Sequence, residues 1–243
     1  MSSSARLRIQ REGTVLNLAS QQQETTLGQA LKKVVAKLER EFPRAQFRHR
    51  RNWQLSEIVD KLKREFPDVP FADPPVKRWL QPDGGILSIV DKQGEDHVIL
   101  ISEIKSQGTN DAIEAEGRKR QAKGNAIERL GKNVIGFRTA MLSEQILPFV
   151  CFGDGCDFAP GSYILDRVVT MAMFGPLNEI ELHNRGDGGL FNRGSFFFRE
   201  KAWTETLMAR EMHEIANRSI HYYFSKHGKR AFELPSRSVA SAR

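Results

Sequence analysis

Residues Pro82–Gly108 read PDGGILSIVDKQGEDHVILISEIKSQG. Two apolar runs, Ile86–Val90 and His97–Lys105, flank the polar segment DKQGED. Short runs of this kind, separated by turn-forming residues, predict two strands joined as an antiparallel hairpin. The second run ends on Glu103 and Lys105. Side chains alternate along a strand, so these two share a face while Ile104 points into the core. The hairpin also brings Asp83, just ahead of the first strand, alongside them. Two carboxylates and one ammonium are thereby expected at the lip of a sheet.

That trio has a definite chemical use. Two carboxylates hold Mg²⁺ while leaving coordination positions open for water and a phosphate oxygen. The ion lowers the pKa of water and offsets charge on a reacting phosphate. A lysine beside it can orient or help deprotonate the attacking water and balance phosphate charge. The plain alternative is a surface ion pair on an exposed strand end, and the pattern E-x-K alone does not separate the two. PDGG upstream and the apolar run directly before Glu103 favour the metal-dependent phosphodiesterase site.

Outward from the hairpin, the apolar residues Leu27, Leu31, Val34, Leu38 and Phe42 recur every three or four positions, which predicts an amphipathic helix capped by Thr25 or Thr26. Leu55, Ile58, Leu62 and Phe66 predict another. FRHRRN, residues 47–52, separates the two, and its Arg48 and Arg50 are candidate phosphate contacts. The proline-rich segment before the hairpin excludes helix. Helix is expected over 111–131, in SYILDRVVTMAMFG and over about Ala202–Phe224; strands are expected in LPFVCFGDG, EIELH and SFFFRE. Strands and helices interleave, so the fold class is α/β with a mixed central β-sheet flanked by helices. Residues 1–25 read as a flexible arm, 26–228 as one domain and 229–243 as a basic, mobile tail.

The formal net charge of +7 favours polyanionic partners, although charge alone selects none. No apolar stretch is long enough to span a membrane, and the first residues show no secretory pattern. Cys151 and Cys156 are too few for a disulfide framework or a zinc site, so reduced structural thiols in a cytosol-like compartment are expected. His213-Glu214 begins a zinc-protease motif, but Asn217 stands where its second histidine belongs. Neither a P-loop nor a Gly-x-Ser-x-Gly elbow occurs.

Pro82-Asp83, followed after nineteen residues by Glu103-Ile104-Lys105, resembles the PD-(D/E)xK nuclease signature. AKGNAIERLGKN, residues 122–133, and the following MLSEQILPFVCF extend the similarity to EcoRI-type type II restriction endonucleases. The resemblance implies a restriction-endonuclease-like fold and a homodimeric, Mg²⁺-dependent enzyme cutting both strands of palindromic double-stranded DNA in the bacterial cytoplasm. A cognate DNA methyltransferase would be its functional partner. Asp83 and Glu103 would be metal ligands and Lys105 the catalytic lysine. Asn125, Ala126 and Arg129 match positions that contact bases of an AATT core, and Glu128 one that links recognition elements across the dimer. Gln121, Ala122, Lys123 and Gly124 complete the DNA-facing segment, with Arg167 more distant at the same interface.

Physical chemistry agrees with that assignment. Asparagine suits a bidentate contact to adenine. Asn125 and Arg129 stand four apart, so a helix presents both on one side. Arg118, Lys119, Arg120 and Lys123 form a basic cluster suited to phosphates. Without the resemblance, Gly-Asn reads as a helix cap and Glu128-Arg129 as solvated charge. The stretch between Gly108 and Gln121 is shorter than in the best-known member, and Gln121 stands where that member has methionine. The AATT core is therefore better indicated than the flanking pair; GAATTC is the favoured site, with CAATTG or a relaxed outer pair second. A DNA-binding protein without cleavage and a sequence-indifferent nuclease of the same fold are the alternatives.

Overall fold

The apolar run of the hairpin lies at the centre of a five-stranded sheet. The computed structural model describes residues 16–75, 77–106, 125–155, 158, 176–189 and 191–234. Strand β1 (Gln46–Arg50) is followed by the short β2 (Trp53–Gln54) and β3 (Trp79–Leu80), then by β4 (Gly85–Val90), β5 (Asp96–Ser106), β6 (Phe149–Asp154) and β7 (Ser195–Arg199). The main sheet has the order β1-β4-β5-β6-β7; β2 and β3 pair separately. The pairs β1–β4 and β4–β5 are antiparallel, whereas β5, β6 and β7 are mutually parallel. The sheet is mixed, as expected.

Helices cover both faces. α1 (Leu16–Glu41) and α4 (Glu205–His227) pack on one side, burying Leu27, Val34, Leu38, Met208, Met212 and Ile220 against Leu87, Ile99 and Phe152. α3 (Asn125–Ala140) covers the other side through Leu130, Val134 and Phe137, packed on Ile101, Phe149 and Phe196. α2 (Leu55–Glu65) adds a satellite cluster of Ile58 and Leu62. β6 is buried along its whole length because both its faces are covered, which is why Phe149–Phe152 is a continuous apolar run rather than an alternating one.

One irregularity sets the orientation of the sheet's outer end. Leu87 pairs with Leu100 and Ser88 with Val98, so Ile99 is an extra residue in β5. Such a bulge changes which face later side chains occupy. Ile99 and Leu100 accordingly both join the core under α1 and α4, while Val98 and Ile101 face α3. Beyond the bulge, Glu103 and Lys105 share the face of Ile101 and α3, and Ile104 faces the larger core.

Several expectations need correction. α1 begins at Leu16, within the segment read as an arm. Leu, Ala, Gln and Glu are good helix formers and carry it upstream. Thr26 is an interior residue whose hydroxyl donates to the Gln22 carbonyl at 2.8 Å, rather than a cap. Gln46–Arg50 is a strand, although its basic side chains hid the alternation. EIELH forms only an isolated bridge between His183 and Ile146; the Glu181 amide donates to Ser195 Oγ at 3.0 Å in place of a ladder. α4 starts on the Thr204 cap and runs to His227, where Gly228 at φ +81° ends it. The tail's first residues are held in place: Phe232 is buried, and the Leu234 amide donates to Arg44 O at 2.8 Å. The helix of SYILDRVVTMAMFG, Cys156, residues 1–15 and 235–243 lie outside the described residues, as do those before 125 in the helix read over 111–131. Among the described residues, no helix is long and apolar enough to cross a membrane.

A buried acid fastens the loop after α3 to α4. Glu144 Oε2 accepts from Tyr222 Oη at 2.9 Å and from Lys226 Nζ at 2.7 Å. Burial alone would raise its pKa, but Lys226 and Tyr222 outweigh burial and hold it below the ordinary value of 4.5. A depressed carboxylate contributes stability that is fully present above 4.5 and is lost as pH falls through the folded-state value. Glu144→Gln is expected to lower stability in urea denaturation by about 1–3 kcal/mol at neutral pH. The gap to wild type should close as the pH drops below 4.5.

Candidate active site

Asp83 sits in a tight turn ahead of β4. The Gly85 amide donates to Pro82 O at 3.1 Å, and the Gly84 amide to Ser102 O at 2.9 Å. Gly85 has φ +78°, a conformation that side-chain-bearing residues rarely adopt. His49 on β1 braces the turn through Nε2, 2.9 Å from Gly84 O. Because the carbonyl can only accept, Nε2 carries the proton in this contact.

The turn places Asp83 against the end of β5. Asp83 Oδ2 accepts from the Ile104 amide and from Lys105 Nζ, each at 3.2 Å. Lys105 Nζ lies 2.5 Å from Glu103 Oε1, so one ammonium bridges both carboxylates. Glu103 Oε2 accepts from the Asp83 amide at 3.2 Å, and Oε1 also accepts from Asn133 Nδ2 at 3.1 Å. The three side chains expected to meet do meet. Asn133, from the middle of α3, joins them without having been singled out; its position eight residues after Asn125 was the available signal.

Exposure is graded across the trio. Glu103 is 1% exposed, whereas the Lys105 and Asp83 side chains are 18% and 27% exposed, so the site opens on the Asp83 side. Burial, with help from Asp83, pushes the Glu103 carboxyl above its ordinary value even though Lys105 opposes the shift. Burial alone would lower the Lys105 pKa; Glu103 and Asp83 overcome this and hold the amine well above its ordinary value. Cys151, the partner of Glu103 on β6, is fully buried, and burial pushes its thiol pKa up. It is a packing residue, consistent with the expected structural role.

The donor set fits a hard divalent cation. Glu103 Oε1 and Asp83 Oδ2 already converge on one positive centre, the Lys105 ammonium, and carboxylate oxygens are the preferred ligands of such ions. Among the described residues, no group of three or more His, Cys, Asp or Glu gathers at any one point. Two carboxylates are therefore what the described chain offers here, leaving positions for other oxygen ligands.

A family model described as "Restriction endonuclease EcoRI" matches residues 10–163, more than half of the chain and all of the trio. The chain belongs to the EcoRI restriction endonuclease family. It is similar to the type II restriction enzyme RsrI of Cereibacter sphaeroides, 28% identical over 244 residues that cover 85% of this chain and 87% of that enzyme. It is also similar to the type II restriction enzyme EcoRI of Escherichia coli, 33% identical over 152 residues, 59% of this chain and 55% of that one. The chain thus aligns with most of the first relative and about half of the second.

This EcoRI-family type II restriction endonuclease carries part of its expected DNA-reading set on α3. Asn125, Ala126, Glu128 and Arg129 occupy the first turns of that helix. Gln121, Ala122, Lys123, Gly124 and Arg167 lie outside the described residues, as does the cluster Arg118, Lys119 and Arg120. Arg48 and Arg50, read as candidate phosphate contacts, are half-exposed and ion-paired within the chain. Arg48 pairs with Asp96 at 2.7 Å, and Arg50 pairs with Asp96 at 2.7 Å and Glu57 at 2.8 Å.

The turn that presents Asp83 has no room for a side chain. A Cβ on Gly85 would lie 2.4 Å from His49 Nε2 and 2.6 Å from Arg50 O. Gly85→Ala is expected to displace Asp83 and slow plasmid cleavage by about 10²-fold, because a shift of about 1 Å in a reacting group costs that much. Circular dichroism should show the sheet and helices retained.

Proposed function

We propose that this chain acts as a homodimer that hydrolyses phosphodiester bonds of double-stranded DNA at a palindrome with an AATT core, GAATTC being favoured. CAATTG or a relaxed outer pair is the second choice. The observation that carries the proposal is the convergence of Asp83, Glu103 and Lys105 at the end of β5 in a member of this family.

Type II restriction enzymes as a class need a divalent metal ion. In this reading Asp83 and Glu103 hold Mg²⁺, which supplies Lewis acidity toward water and the scissile phosphate. Without a metal, burial would lower the Lys105 pKa, and Glu103 and Asp83 outweigh it. With both carboxylates engaged by the ion, the Lys105 amine can orient or help deprotonate the attacking water and balance phosphate charge. Burial of Glu103 excludes bulk water from one side of the site and confines approach to the Asp83 side.

Asn125, Ala126 and Arg129 read bases, with Gln121, Ala122 and Gly124 beside them. Lys123 contacts phosphate, Glu128 links the two recognition elements, and Arg167 adds to the DNA interface. Twofold symmetry of the protein matches that of the palindrome, each subunit reading one half-site and cutting one strand. A cognate methyltransferase protects the host's own sites in the bacterial cytoplasm.

Sequencing the ends of plasmid cut in Mg²⁺ tests the site. Termini confined to AATT palindromes are expected, and chelation should abolish them. Scattered termini would indicate a sequence-indifferent nuclease, and binding without cutting under any divalent ion a DNA-binding protein alone. Glu103→Gln and Lys105→Ala should each slow single-turnover cleavage by more than about 100-fold. That exceeds the roughly 10–100-fold typical when only a ligand's supporting partner is lost. Both variants should still shift a GAATTC duplex on a gel.

Asn125→Ala should reduce discrimination between GAATTC and a site altered in one AATT base pair by about 1–3 kcal/mol. Competition binding at fixed salt measures this, with affinity for random DNA unchanged. Equal losses on both DNAs would remove Asn125 from the reading set.

A further inference from the structure

We infer that Asn133 is a positioning residue that ties helix α3 to the Glu103 carboxylate, so that the element proposed to read bases also orients a metal-holding group. The inference rests on the function proposed above. Glu103 receives three donors: the Asp83 amide on Oε2, and Lys105 Nζ and Asn133 Nδ2 on Oε1. Asp83 and Lys105 flank the same hairpin as Glu103. Asn133 alone among these donors comes from another element, thirty residues along the chain.

The helix is seated so that this contact has little slack. Leu130, Val134 and Phe137 are 0%, 2% and 0% exposed and lock α3 onto the sheet. Gly136 lets the helix come close to β3, where a Cβ would lie 2.8 Å from a Leu80 methyl group. Positions 125, 129 and 133 follow one another at four-residue steps, each advanced by about 40°, so all three fall within an arc of about 80°. A rotation of α3 about its own axis that turns its first turn therefore turns the Asn133 amide with it. A hydrogen bond weakens steeply within a fraction of an ångström, whereas the ion pair to Lys105 does not. The neutral amide thus gives Glu103 a directional constraint that the lysine cannot give.

The test uses the full-length protein and three variants. Asn133→Ala removes the donor, Asn133→Leu removes it while keeping a similar volume, and Asn133→Gln keeps it on a longer arm. Mn²⁺ affinity of the DNA-free protein, followed by the free-ion electron paramagnetic resonance signal, is expected to fall about 10–100-fold in the Ala and Leu variants. The single-turnover cleavage rate on a GAATTC duplex in Mg²⁺ should fall by a similar factor. Metal-free affinity for that duplex should stay at the wild-type level, and Asn133→Gln should recover part of both losses.

Wild-type Mn²⁺ affinity and rate in the Ala and Leu variants would overturn the inference. So would a matching loss of metal-free duplex binding, which marks a packing role. If Asn133→Ala fails to fold, Asn133→Leu carries the measurement. A wild-type protein that leaves GAATTC uncut would overturn the proposed function instead, while the Mn²⁺ titration still decides the hold of Asn133 on Glu103.

Discussion

A carboxylate that is 1% exposed has to be answered by positive charge and donors, and the answer given to Glu103 organises this molecule. Ionised groups lose several kcal/mol of hydration on burial, roughly, and regain it only where partners are well placed. Lys105, the Asp83 amide and Asn133 are those partners. They come from the end of β5, the turn before β4 and the middle of α3. Removing any of them leaves a buried oxygen less well satisfied, so the packing around the end of β5 and the geometry of the site depend on the same contacts.

The two faces of the sheet divide the work. α1 and α4 cover the face with the larger apolar cluster, which supplies most of the buried core. α3 covers the opposite face, where Glu103 and Lys105 emerge. The bulge at Ile99 decides which face receives them. Strict alternation from Val98 would turn Glu103 and Lys105 toward α1 and α4, away from α3. One extra residue in a strand thus places the acids beside the helix that carries Asn125 and Arg129. A positive φ at Gly85 and the brace from His49 complete the arrangement by bringing Asp83 to the same end of β5.

Much of this was legible in the chain. The hairpin followed from two apolar runs around DKQGED, and the shared face of Glu103 and Lys105 followed from a two-residue spacing. The amphipathic helices α1, α2 and α4 followed from spacings of three and four. Misreadings arose where a local signal was weak or ambiguous. The polar stretch around residues 16–25 has helix-forming residues but no apolar stripe, so it read as an arm. QFRHR carries its alternation in Phe47 and His49, masked by arginines that pair with Asp96 and Glu57. EIELH has the alternation of a strand, but its neighbours satisfy its backbone without a ladder.

By itself, the sequence determined the α/β class, the hairpin, and the three groups that meet at its end, because periodicity and turn chemistry act over a few residues and need no distant partner. Tertiary structure alone decided the bulge at Ile99, the contact of Asn133 with Glu103, and the direction in which the Lys105 pKa is moved. Each depends on elements far apart in the chain: the register of β4 against β5, the seating of α3 on the sheet, and the balance of burial against two carboxylates. Such quantities are sums over packed neighbours, and a linear pattern does not contain the neighbours.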